Sequence, residues 1–412
     1  MADEPTSAPP AEASAADTII ALEKEFLLQN YARHPLVAHK GKGCYLYDTT
    51  GKRYLDMIAG IGVNALGHAH ARIVHIIREQ AALLIHCSNL YYHEYQGPLA
   101  KKLVELSGLK RAFFCNSGTE AVEGALKMVR AHGRAINPEK IEIVSLDNSF
   151  HGRTLGALSI TGQAKYRADF EPLLAGVRFV EANNAEALEQ AVSERTAGIV
   201  LEGIQGEGGI FPMSADYLRK ARALADKHNS LLVFDEIQCG VGRPGTYFSY
   251  QIAAPHVLPD ILTVAKPLAC GLPLGAIVSN EKAAAAIKSG MHGTTFGGGA
   301  LACRVALEFF DILEELMPSI IQVGGVFRLE LNELKRHFQF IKEVRGYGLM
   351  IGVELAIPGK DLVNDGIEQG ILFNCTHENV LRFLPPYILT EQDVDKAIGL
   401  LKKIFTRVKY IA

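Results

Sequence analysis

The chain has 412 residues, 48% of them hydrophobic and 21% charged, the profile of an ordinary globular protein long enough for two domains. A formal net charge of -3 excludes the basic balance of a nucleic-acid or anionic-membrane binder. Seven cysteines without zinc-type spacing read as reduced thiols of a cytoplasmic protein, and no apolar stretch reaches the length of a membrane span.

Met1 to Asp17 is rich in Ala, Pro, Ser and Glu and lacks the basic-then-apolar pattern of a secretory signal, so residues 1–17 are expected to form a disordered tail. From Thr18 to about Ala71 the chain opens with a helical pattern. Cys44–Asp48, Gly51 and Arg53–Leu55 then read as a β-hairpin. This segment, 18–71, is expected to pack with the smaller of two domains.

Residues 72–299 alternate helical patterns with apolar strands. The expected strands are Arg111–Cys115, Ile141–Leu146, Val177–Val180, Gly198–Glu202, Leu231–Asp235, Ile261–Ala265 and Gly275–Ser279. Seven strands with helical connections imply a large α/β domain, a mostly parallel sheet with helices on both faces. Pro267 to Leu274 leaves no room for a crossover helix, so the last strand is expected to run antiparallel. From about Gly299 the pattern changes, and residues 300–412 read as a small C-terminal α+β domain. A helix over Ala300–Glu315 leads to Pro318 and a second helix, followed by strand-rich stretches at Glu343–Leu355, Ile371–Asn374 and Val380–Phe383. The last helix takes Thr390 as N-cap, has Asp393 in its first turn, and carries Val394, Ile398, Leu401, Phe405 and Val408 at helical spacing.

Two charges stand at the ends of apolar runs. Asp235 closes Ser230–Phe234, and Lys266 closes Asp260–Ala265. Strands of a parallel sheet open there onto a crevice. Burying either charge without a partner is costly, so the pair implies a ligand with complementary groups. Pyridoxal 5'-phosphate fits, since its aldehyde takes a lysine as a Schiff base and its ring nitrogen pairs with an acid. At about 3 Å and an effective dielectric of about 20, that ion pair is worth roughly 5 kcal/mol before desolvation. A desolvated lysine has a lowered pKa, which makes it a nucleophile and then a general base. Gln238 could reach the ring's phenolic oxygen with its amide.

Three further blocks could complete such a site. Asn116-Ser117-Gly118-Thr119-Glu120-Ala121 lies between a strand and a helix, where free N–H groups, the Ser117 and Thr119 hydroxyls and a close approach at Gly118 would hold a phosphate. In Asn148–Thr154, Phe150 could stack on a flat ring and Arg153 could grip a carboxylate with two parallel hydrogen bonds. Glu202–Gly209 is a glycine-rich loop holding two acids, of which Glu207 is the more interesting. Taken singly, each block also fits a plain helix cap, a core ring with a surface charge, or a solvated turn.

Together the blocks resemble the class III (ω-amino) aminotransferases, which are fold-type I PLP-dependent transferases. The resemblance spans roughly Thr18 to the C-terminus. It rests on Asn116–Ala121, Phe150–Thr154, Gln205-Gly206-Glu207, Phe234–Gln238, Lys266 and His292–Gly298 in order. Within the class, Gly62–His68, Ser88–Tyr92 and Ala157–Tyr166 are similar to the acetylornithine aminotransferase subfamily.

The resemblance implies roles. Lys266 would be the cofactor's anchor and proton shuttle, and Asp235 would pair with the ring nitrogen. Ser117, Gly118 and Thr119 would bind the phosphate, Phe150 the ring face and Gln238 the phenolic oxygen. Thr295 would reach the phosphate across a homodimer interface. Arg153 would bind the substrate carboxylate. Arg382 would bind the acceptor 2-oxoglutarate, with Glu207 neutralising it when the amino donor is present. The implied reaction is transamination from N-acetylornithine, ping-pong through pyridoxamine phosphate. Ornithine, succinylornithine, 4-aminobutyrate and acyl-lysine-type donors remain open, as do a racemase on the same fold and a non-enzymatic binding protein. The chain departs from the family at Gly299 and Ala300, where Asn-Pro is usual, and at Val122, Pro244, Pro267 and Cys270. None of these removes a proposed catalytic group.

Overall fold

The computed structural model describes residues 14–408. Strands β1 (Ala38–Lys42), β2 (Tyr45–Asp48) and β3 (Arg53–Asp56) form an antiparallel meander. The turn between β2 and β3 puts Gly51 at φ 85°, and Asp48 Oδ1 accepts from the N–H groups of Thr50 and Lys52. That combination of a left-handed glycine and an aspartate binding its own turn is what closes the expected hairpin.

The central sheet contains β4 (Arg111–Cys115), β5 (Glu142–Leu146), β6 (Val177–Val180) and β7 (Thr196–Leu201). After a small ribbon, β8 (Ile204–Gln205) and β9 (Phe211–Pro212), it adds β10 (Leu231–Asp235), β11 (Ile261–Val264) and β12 (Gly275–Ser279). Its order is β4-β12-β11-β10-β7-β5-β6. β7, β10 and β11 pair in parallel, as do β5, β6 and β7, while β12 runs antiparallel to β11 and β4. Strands β5, β7, β10, β11 and β12 are buried along their whole length, which is why their residues are mostly apolar. Each buried Leu, Ile or Val there contributes roughly 1.5–3 kcal/mol. The helix Gly118–Ile136 covers one face, burying Ala121, Val122, Ala125, Leu126 and Val129 against it.

The second four-stranded sheet, in the order β13-β14-β17-β16, is built from β13 (Ile341–Tyr347), β14 (Met350–Leu355), β16 (Asn374–Thr376) and β17 (Val380–Phe383). Between them β15 (Ile371–Leu372) leaves this sheet and pairs in parallel with β3 of the N-terminal meander. The closing helix Glu391–Thr406 begins with a capping box: Thr390 Oγ1 accepts from the Asp393 N–H, and Asp393 reaches back to the Thr390 N–H.

Three elements differ from the sequence pattern. One continuous helix, Ala300–His337, runs through Pro318. The proline removes the N–H that would bind the Glu314 carbonyl, but both residues lie on the exposed side, so the carbonyl is not buried without a partner. Burial of Phe309, Phe310 and Leu313 before it and of Ile320, Val323 and Phe327 after it keeps the axis whole. The helix Lys360–Gln369 has a glycine inside it and ends at Gly370 in the left-handed region, φ 82°, and it was not legible as a helix. Of the expected tail, residues 1–13 lie outside the described residues. Residues 14–17 are ordered: Ser14 caps the helix Ala15–Phe26 with Asp17 as its reciprocal partner.

Candidate active site

The carboxyl ends of the parallel strands open onto a cavity of about 380 Å³. Asp235, the last residue of β10, and Lys266, just past β11, both line it. Ser117, Gly118 and Thr119 reach it from the β4–helix turn, Phe150 and Arg153 from the loop after β5, and Glu207 and Gln238 from the loops after β7 and β10. A doubly wound sheet places ligands at this edge.

Asp235 is buried and held on both oxygens. Oδ2 lies 2.7 Å from His151 Nδ1, and Oδ1 accepts the Ile237 N–H at 3.1 Å. Burial opposes a charged His151, but the adjoining Asp235 carboxylate outweighs it and raises the imidazole above its ordinary value. The imidazole therefore donates Nδ1–H to Asp235 and orients that carboxylate. Behind them Glu202 accepts the N–H groups of Phe150 and Gly206 at 3.2 and 3.1 Å. Burial lifts its carboxyl to about 7, with His151 opposing and Asp235 reinforcing the rise.

Lys266 stands between opposing charges. Its amine is lowered, first by desolvation, against the pull of the Glu207 and Asp235 carboxylates, with Arg382 adding to the fall. A larger share is therefore neutral and nucleophilic than for a surface lysine.

Ser117 is the N-cap of the helix Gly118–Ile136, its Oγ accepting the Glu120 N–H at 3.3 Å. The helix opens toward the cavity, where its first N–H groups and dipole favour an anion. A side chain at Gly118 would bring a Cβ within 2.8 Å of Ile237, so only glycine lets the backbone come this close. Thr119 Oγ1 lies 3.0 Å from Thr154 Oγ1.

On the opposite side, Arg382 of β17 is 1% exposed and held by three acceptors. Its Nη1 donates to Glu207 Oε1 at 2.6 Å and to Gln238 Oε1 at 3.0 Å, and its Nε to Asn374 Oδ1 at 3.1 Å. Burial would raise Glu207, but Arg382 and Lys266 together bring it below the usual carboxylate range. The Arg153 guanidinium lies over the Tyr166 ring at 4.0 Å and over Phe150 at 5.6 Å, and Phe150 meets Tyr166 edge-on. Arg153 itself is exposed at the cavity's rim. Thr295 is exposed and does not line the cavity of its own chain.

His151, Glu202 and Asn374 lie inside the motifs and strands legible in the sequence, but no local pattern assigns any of them a task. A histidine 84 residues from its aspartate leaves no spacing signal. Tyr166 was likewise visible only as part of a pattern.

A buried lysine and an acid at neighbouring strand ends, above a helix N-terminus, define a site of the cofactor-dependent transferase kind. The model of class-III aminotransferases matches residues 27–405, and the chain belongs to that family. It is 50% identical over 393 residues to the acetylornithine aminotransferase of Methanocaldococcus jannaschii, covering 95% of this chain and 98% of the relative. It is 44% identical over 380 residues to the acetylornithine aminotransferase of Aquifex aeolicus, covering 92% and 99%. Among solved structures it resembles an ornithine aminotransferase of Toxoplasma gondii with partial occupancy of PLP at its active site. The TM-score is 0.90 and the identity 33%, over 96% of this chain and 95% of that one.

Proposed function

We propose that this aminotransferase moves the ω-amino group of N-acetylornithine to 2-oxoglutarate, giving glutamate and a semialdehyde, with pyridoxal 5'-phosphate as cofactor. The observation that carries the reading is the Arg382–Glu207 ion pair, 2.6 Å long, beside Lys266. A site that turns over both a donor without a carboxylate at its reacting end and a dicarboxylate acceptor needs a cation that can be offered or withdrawn. An arginine masked by a movable acid provides that. The relatives called acetylornithine aminotransferase support the choice of donor.

The residues suit the cofactor. Ser117, Gly118 and Thr119 would hold its phosphate at the helix start, Asp235 its ring nitrogen, Gln238 its phenolic oxygen, and Phe150 one face of its ring. Bound, pyridoxal phosphate supplies an electron sink that acidifies the carbon next to the transferred nitrogen. Lys266 would tether it, and its Nζ would hold the proton that is moved. His151 fixes the Asp235 carboxylate, and Arg153 at the rim takes the donor's carboxylate. Thr295, outside its own cavity, would serve the partner's phosphate in a homodimer. The test is a single-turnover screen of amino donors that follows conversion of the cofactor to its amine form. N-acetylornithine should convert fastest. Faster conversion by ornithine or 4-aminobutyrate would reassign the donor, and no conversion by any ω-amine would end the proposal.

A further inference from the structure

Glu207 lies in the turn between β8 and β9, beyond β7 of the central sheet, yet some of its anchors come from the other sheet. Arg345 of β13 donates Nε–H to the carbonyl oxygens of Gly209 and Ile210, at 2.9 and 3.2 Å. Thr376, the last residue of β16, donates its hydroxyl to the Glu207 carbonyl oxygen at 2.6 Å, and the same hydroxyl oxygen lies 3.4 Å from Glu207 Oε2. Thr376 is buried. In the β16–β17 ladder Asn374 stands opposite Arg382, and Thr376 stands opposite Val380. Strand alternation puts Asn374, Thr376 and Arg382 on one face. The tip of this hairpin carries His377 and Glu378 in the left-handed region, φ 49° and 63°, a strained turn that fixes where Thr376 ends. The hydroxyl that touches Glu207 and the strand that carries Arg382 therefore belong to one hairpin.

We infer that Thr376 is a positioning residue that holds Glu207 closed on Arg382 and thereby sets the balance between donor and acceptor binding. The inference rests on the switch reading of the preceding section. For 2-oxoglutarate to reach Arg382, the Glu207 side chain must turn away about a backbone position that Thr376 pins. The bond to the Glu207 carbonyl fixes the backbone from which the carboxylate meets Arg382, and the 3.4 Å approach of the hydroxyl to Oε2 exists only in the paired state, so Thr376 favours that state. Without it the unpaired state is more populated, and a ligand that needs the unpaired state gains by the same factor.

The experiment is Thr376→Val in the cofactor-loaded full chain, with both half-reactions read by cofactor absorbance in single turnover. The apparent Kd for 2-oxoglutarate is expected to fall by about two- to fivefold, less than one full hydrogen bond because the state-dependent contact is long, while that for N-acetylornithine stays or rises. Thr376→Ser restores the wild-type ratio. Where the valine variant does not fold, Thr376→Ala removes the same hydroxyl and gives the same reading. A purely structural role weakens both ligands in parallel. A parallel change, an unchanged ratio or a serine variant that fails to restore it overturns the inference. Glu207→Gln is measured alongside. If it shifts the ratio and Thr376→Val does not, only the role of Thr376 falls. If neither shifts it, the switch itself falls.

Discussion

Arg382→Ala tests the acceptor site most directly. The guanidinium is 1% exposed and makes hydrogen bonds of 2.6, 3.0 and 3.1 Å to Glu207, Gln238 and Asn374. Truncating one partner of a buried, hydrogen-bonded charge pair costs about 2–5 kcal/mol, so the Kd for 2-oxoglutarate should rise by roughly 30- to 5000-fold. The upper part of that range is expected, because Glu207 is left as an unmasked anion facing the incoming carboxylate. On the proposed switch, Glu207 neutralises the arginine in the donor half-reaction, so its loss should change the Kd of N-acetylornithine by less than about fivefold. The substitution also strands the Gln238 and Asn374 oxygens, each worth about 1–3 kcal/mol of stability, so melting temperature must be followed in parallel. The assay is stopped-flow absorbance of the cofactor, run separately with donor and acceptor. Adding Glu207→Gln to Arg382→Ala should recover part of the acceptor binding, because the repelling charge is gone. Equal loss in both half-reactions, in a protein that still melts as wild type, would refute the reasoning.

Lys266→Ala should abolish the borohydride-fixed link between chain and cofactor, read by intact-mass spectrometry. A link that persists would move the anchor to another amine. Glu207 is among the anions that favour a charged Lys266, so Glu207→Gln should shift the pH midpoint of cofactor attachment to lower pH. Glu236 is fully buried and accepts from the Ser249 N–H and hydroxyl and from the Tyr250 N–H; burial lifts its carboxyl to about 7, against those hydrogen bonds. A carboxyl whose folded pKa stands above its unfolded value of 4.5 stabilises the fold fully below that value. That stability is lost as pH rises toward 7. Glu236→Gln should therefore shrink the fall in unfolding free energy between these two pH values by about 3 kcal/mol, measured by urea titration at each pH. At Gly203 an added Cβ would stand 2.1 Å from Ser249 Oγ, so Gly203→Ala should cost roughly 1–3 kcal/mol, and Ser249→Ala in the same chain should return part of it.

The central sheet was legible because strands buried on both faces need apolar residues at every position. Leu231–Asp235 and Gly275–Ser279 were placed to the residue. The short Pro267–Leu274 connection likewise forced the antiparallel strand. The edge strand Ala38–Lys42 could not be read, since Ala-His-Lys-Gly-Lys has no apolar alternation and is largely exposed. The break expected at Pro318 failed because tertiary burial on both sides outweighs one missing hydrogen bond. In the site, the residues at strand ends and helix caps were visible from local pattern alone. The contacts that tune them were not. His151 meets Asp235, Thr376 meets Glu207 and Asn374 meets Arg382 only after the chain has folded, and no local spacing encodes such meetings.

The helix Ala300–His337 spans about 57 Å at 1.5 Å per residue. Near its start, Glu308 and Glu315 grip Arg72. Further along, Gln322 holds Glu391, and Arg328 donates to the Gly346 carbonyl oxygen. It is a beam bolted to both halves of the molecule. The chain therefore cannot be severed at the compositional break near residue 300 to yield two independent pieces. A fragment ending there would lose the packing of this helix against the helix Ala71–Leu83, whose buried side carries Ile73 and Ile76, and would be expected to clump. Gene splicing between relatives would have to keep this beam whole.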